Sequence, residues 1–152
     1  MTLSPPEPRT DNALGLRERF LRARAESEAL ALPLSSEDQT VQTMADVSPT
    51  KWHLAHTTWF FEALVLCVHQ PGYQPVNPAY FKLFNSYYES LGPRHPRPQR
   101  GLLSRPSLDE VRAYRAAVEQ SLARFIEQAD DDSWAAAAPL LLVGLHHEQQ
   151  HQ

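Results

Sequence analysis

The run His147-Glu148-Gln149-Gln150-His151 holds the densest chemistry in the sequence. Two histidines four apart on a helix share a face, with Cβ atoms roughly 5–6 Å apart. At that separation two imidazoles can hold one metal ion, each nitrogen about 2.1 Å from it. The competing explanation is a solvated polar face, since residues 146–152 are wholly polar. Against it, Leu140, Val143, Gly144 and His147 fall on one helical face, which directs His147 toward a core. The same run also spells H-E-x-x-H, the zinc-hydrolase helix in which the glutamate is the general base. That architecture needs a sheet upstream of the helix and a third ligand, which here would lie beyond Gln152.

Four of the other five histidines divide by context. His69 and His95 stand in proline-flanked segments and read as surface residues. His53 and His56 are three apart, so on a helix their directions differ by roughly 60°. His56 shares a stripe with Trp52, Trp59 and Ala63 and is the one expected to point inward. His56, His147 and His151 together would make a three-histidine face. Three neutral ligands leave a metal's charge intact and leave coordination positions open, which suits an ion that binds an anionic substrate atom and oxygen together. The better-known oxygenase face is two histidines and a carboxylate.

Helices must position these rings. A helical period runs from Asp11 to Ala31, with Leu14, Phe20, Leu21 and Ala25 as its apolar positions. Ser48-Pro49 starts a second helix, serine as N-cap and proline at the first turn, reaching about Val68. Ser107-Leu108-Asp109-Glu110 is a capping box. It opens a third long helix through Val111, Tyr114, Val118, Leu122 and Phe125 to about Ala129. The last helix is expected to begin near Pro139 and to be still in mid-course at Gln152, as in the front part of a longer chain. A short helical piece is expected from Ser36 to Met44. No stretch alternates as a strand requires, so the fold class is all-α, and four main helices predict a four-helix bundle. Residues 71–106 form a long connection carrying seven of the thirteen prolines, four arginines and an aromatic cluster (Tyr73, Tyr80, Phe81, Phe84, Tyr87, Tyr88). Its aromatics predict an ordered segment.

Composition narrows the function classes. With 42% hydrophobic and 21% charged residues in 152, the chain has globular values and is long enough for one core. A net charge of −4 argues against nucleic acid as a partner. The single cysteine, Cys67, fits a reducing compartment, and residues 1–10, rich in proline, read as a disordered N-terminus without a secretion signal. The apolar run 135–145 is too short for a membrane span. Cytoplasmic is the expectation.

Three longer motifs then add up. Ser48-Pro49-Thr50-Lys51-Trp52-His53-Leu54-Ala55-His56-Thr57-Thr58-Trp59-Phe60-Phe61-Glu62 resembles the opening motif of the ergothioneine-biosynthesis sulfoxide synthases (hercynine oxygenases). Leu83-Phe84-Asn85-Ser86-Tyr87-Tyr88 with Gly92-Pro93-Arg94-His95-Pro96-Arg97-Pro98-Gln99-Arg100-Gly101 resembles a second, and the terminal His-Glu-Gln-Gln-His-Gln a third.

The resemblance implies a DinB-like four-helix bundle over residues 11–152, binding non-haem Fe(II) through His56, His147 and His151. It implies a reaction joining a thiol, cysteine or γ-glutamylcysteine, to C2 of the hercynine imidazole with O2, leaving a sulfoxide. Gln150 falls where the family has a glutamine beside the iron. Arg97 and Arg100 fall where family arginines hold the donor's carboxylates, which suits bidentate guanidinium pairing. Selenoneine synthases share the bundle and motifs with a selenium donor, and a non-catalytic metal-binding bundle is a further alternative. The family continues into a domain resembling the formylglycine-generating enzyme, which supplies a catalytic tyrosine and which these 152 residues lack. The chain alone is therefore expected to be inactive and, with apolar surface exposed, open to self-association as a homodimer.

Overall fold

The computed structural model describes residues 9–86, 90 and 92–152. Most of the expected disordered N-terminus, and Tyr87 and Tyr88 of the aromatic cluster, lie outside the described residues. No strand occurs among those described.

Helix α1 spans Arg9–Ala31, starting two residues before its expected boundary. Its inward face is Leu16, Phe20, Ala23, Ser27 and Ala31, at near-heptad spacing, with Leu14 and Ala25 left exposed. Of the expected apolar positions Phe20 is buried and Leu21 packs against the core, whereas Leu14 and Ala25 face out, because the buried stripe also admits Arg24 and Ser27. Residues 32–47 hold turns where a short helix was expected at Ser36–Met44. Ser35 and Asp38 bond each other's backbone N–H there, at 3.1 and 3.0 Å. That is a capping-box arrangement, and it opens a single turn, with the Gln39 N–H on the Ser35 carbonyl at 3.1 Å, which the chain does not continue as a helix.

Helix α2 (Thr50–Phe61) passes into a π-helical turn (Glu62–Leu66) and finishes as α3 (Cys67–His69), so the second helix ends where the sequence suggested. The wide turn coincides with Glu62, which is fully buried and accepts hydrogen bonds from Tyr73 Oη (2.9 Å), Tyr114 Oη (2.6 Å) and the Val76 N–H (2.7 Å). The long connection is ordered over its described residues. It carries α4 (Tyr80–Phe84) and a 3-10 helix (Arg97–Leu102). Helix α5 (Leu108–Gln128) begins on the complete Ser107/Glu110 capping box.

Helix α6 (Asp131–His151) starts a full two turns before Pro139, which lies inside it. Asp130, rather than the proline, is the N-cap, accepting from the Ser133 N–H at 2.7 Å. Its inward face is Trp134, Ala137, Leu141, Gly144, Leu145 and Glu148, whereas Val143 is 52% exposed.

The four long helices pack in a ring, α2 against α5 and α6, and α1 against α6 and α5. This is the expected four-helix bundle, with α1 and α2 on opposite corners. At Gly144 α6 closes onto α2, and a Cβ there would overlap the Phe61 ring. At the bundle centre each of the four helices supplies at least one buried polar side chain. Arg24 of α1 bonds Thr58 Oγ1 of α2 (2.7 Å) and Glu148 of α6 (3.0 Å), and Arg115 of α5 bonds Glu148 (3.2 Å). Buried charges persist only when paired in this way.

Candidate metal centre

His56 leaves α2 between two indoles, stacked on Trp52 at 4.5 Å and Trp59 at 5.6 Å between centroids. The Trp52–His56–Trp59 spacing of the helix makes this sandwich. The His56 Nδ1 atom sits 2.5 Å from the Phe84 carbonyl at the end of α4, so Nδ1–H donates and Nε2 keeps its lone pair. A carbonyl partner of this kind fixes the tautomer of a ligating histidine. From α6, His147 Nε2 lies 3.1 Å from His56 Nε2 and 3.1 Å from His151 Nε2. The coordinating atoms of the three residues all fall within 4.8 Å of one another. The structure therefore brings together the three histidines singled out in the sequence.

The donor set suits a metal. Nitrogens about 2.1 Å from one ion and at right angles to each other lie about 3.0 Å apart, close to the two spacings from His147. Ligation also requires neutral rings. Burial pushes His56 down to about 2 and His147 to about 4. Burial likewise lowers His151, with Arg100 adding in the same direction. Phe60 stacks on His147 at 4.7 Å, so one side of the site is an aromatic wall.

His53 is the residue that spacing underrated. It is only half-buried, yet its Nδ1 reaches His151 Nδ1 at 2.8 Å. Burial, His151 and then Arg100 lower its pKa to about 4. The signal available in sequence was directional: helical side chains lean toward the N-terminus, so the ring three residues before His56 can flank the same site.

A cavity of about 390 Å³ lined by Ser86, Arg94, His95, Pro96, Arg97 and Arg100 is joined to the rings through Arg100, which lies over the Trp52 indole that stacks on His56. Arg97 is partly exposed on its wall. Arg100 is buried, its guanidinium 3.5 Å above the Trp52 ring, and it donates to Ser48 Oγ (2.9 Å) and Ser86 Oγ (3.2 Å). Arg94, not singled out in the sequence, donates to the Ser86 carbonyl at 2.6 Å. His95, expected at the surface, also lines this cavity. The 3-10 helix carrying Arg97 and Arg100 is held by Gln42. Gln42 Nε2 donates to the Arg97 carbonyl (2.8 Å) and Oε1 accepts from the Gly101 N–H (2.7 Å). Gln150 is exposed on α6, between the turns that carry His147 and His151.

Glu148 does not face the triad. It is fully buried, and its oxygens are taken up by Arg24, Arg115 and Ser27 Oγ (2.7 Å), about 100° round α6 from His147. Burial alone would raise its carboxyl, but the two guanidinium groups and the Ser27 hydroxyl hold it below the usual value. With this glutamate turned away, and no sheet among the described residues, the H-E-x-x-H hydrolase reading loses its general base.

No described helix is long and apolar enough to cross a membrane. The family model described as the DinB superfamily matches residues 19–152. No curated protein matches the sequence.

Proposed function

This chain belongs to the DinB superfamily, whose domains commonly bind metal, and on that premise we propose that it is the iron-binding part of a sulfoxide synthase that joins a thiol to C2 of hercynine with O2. The observation that carries this reading is the convergence of three imidazole nitrogens, joined through Trp52 and Arg100 to an arginine-lined cavity. His56, His147 and His151 would hold Fe(II), which supplies the one-electron chemistry that O2 requires.

The chain's own residues account for the rest. Arg97 binds the donor's carboxylate from the cavity wall, with Arg94 adding positive charge. Bidentate guanidinium–carboxylate pairing would also orient the thiol. Arg100 acts from behind, as its stacking on Trp52 ties the cavity to the helix that carries His56. Trp52, Trp59 and Phe60 exclude water from the buried side of the rings. Gln150, at the rim, is within helical reach of a substrate imidazole lying over the open side. A selenium donor would use the same site.

Binding of the donor tests this reading. Protein loaded with Fe(II) under argon should bind cysteine or γ-glutamylcysteine more tightly than cysteamine, which lacks the carboxylate. Equal affinities would remove the arginine cavity from the account. Mass spectrometry for the sulfoxide, after adding hercynine and O2, tests the reaction itself. The bundle alone is expected to bind the thiol without turnover, because the resemblance assigns a catalytic tyrosine to a following domain.

A further inference from the structure

His53 belongs to none of the roles above, and its ring meets the outer nitrogen of His151. We propose that His53 is a positioning residue that accepts, at Nδ1, the Nδ1–H of His151 and thereby turns the His151 Nε2 lone pair toward the metal centre. The inference rests on the metal reading of the triad and adds to it.

Counting protons leads there. One hydrogen lies between the two Nδ1 atoms, which are 2.8 Å apart. If His53 carried it, the neutral His151 ring would hold its own proton on Nε2, aimed into the triad. If His151 carries it, Nε2 is bare, as ligation requires. The rest of the metal-free network agrees with the second arrangement. His56 Nε2 is an acceptor, because its Nδ1–H is committed to Phe84. His147 Nδ1 is buried with no hydrogen-bond partner. An orphaned acceptor costs less than an orphaned N–H, so the His147 proton belongs on Nε2. There it lies 3.1 Å from both His56 Nε2 and His151 Nε2, and both must then accept.

The arrangement parallels that at His56, where a carbonyl does the same work. Removing such an outer partner typically weakens metal binding by roughly 10–100-fold. His53→Asn puts an amide oxygen near the Nδ1 position and can still accept, whereas His53→Phe fills the space without accepting.

The test has two arms. Co(II) titration of the full chain by calorimetry should show His53→Phe binding roughly 10–100-fold more weakly than wild type, with His53→Asn within a few-fold of wild type. Ring nitrogen NMR of the metal-free protein near neutral pH should find His151 with its proton on Nδ1 in wild type and His53→Asn. A His151 proton on Nε2 in wild type would overturn the proposal, as would wild-type Co(II) affinity in His53→Phe. If wild type takes up no Co(II), the metal reading fails, and the NMR arm still decides the His53–His151 bond. Should His53→Phe not fold, the wild-type tautomer and the His53→Asn affinity decide it, and loss of binding in a folded His53→Asn would count against it.

Discussion

Glu148 turns its carboxylate onto Arg24 at 3.0 Å, although its sequence neighbour His147 points into the histidine cluster. Consecutive helical residues differ by about 100° in direction, so one residue of α6 can serve the core while the next serves the site. This relationship separates the structural role of the glutamate from the chemical role of the histidines.

Replacing Glu148 should therefore cost stability before it costs metal binding. Glu148→Ala takes from Arg24 and Arg115 their shared buried carboxylate and leaves them only the partly exposed Glu119 and Glu28, a loss of about 3 kcal/mol. Urea denaturation of the metal-free protein measures it. A variant as stable as wild type would mean that the buried network is not what joins the helices.

Gly144 makes a second stability prediction. Gly144→Ala forces a Cβ into the Phe61 ring and pushes α6 from α2, at a cost of about 1–3 kcal/mol. His147 is one turn farther along, so Co(II) affinity should fall too. Unchanged unfolding and unchanged affinity would contradict the close approach.

In the metal-free protein His53, His56 and His147 are held at about 4, 2 and 4, below the ordinary 6.5. The folded values are the depressed ones, so as pH falls below about 6.5 the unfolded chain takes up protons first. Stability is present above that pH and is lost as pH drops toward 4. The thermal midpoint should decline steadily across this window, and a level midpoint would show that these rings are not buried neutral.

The cavity arginines should separate by role. Arg97→Ala removes a charge-assisted contact worth about 1.5–3 kcal/mol, so donor-thiol affinity should fall roughly 10–100-fold with folding unchanged. Arg100→Ala should lower both affinity and stability, since it also loses the Trp52 contact and two serine hydrogen bonds. Equal behaviour of the two variants would reject this division.

The fold class and the triad were legible because each rests on helical periodicity. Ser107 and Glu110 marked the start of α5, and the i, i+4 spacing aligned His147 with His151. What stayed hidden depends on tertiary partners. Pro139 looked like a helix start, yet a proline is tolerated within α6, and Asp130 supplied the stronger cap. Arg24 and Arg115 carried no sequence signal, because their partner Glu148 is more than thirty residues from either. His53 was set aside on its helical angle, whereas its importance comes from a ring on another helix.

The central claim is that His56, His147 and His151 hold one iron. X-ray absorption of protein reconstituted anaerobically with Fe(II), alongside iron analysis of wild type and His56→Ala, tests it most directly. The account predicts about one iron per chain with imidazole nitrogens near 2.1 Å, and loss of that iron in the variant. Iron content unchanged in His56→Ala, or a wild-type spectrum without imidazole scattering, would contradict it.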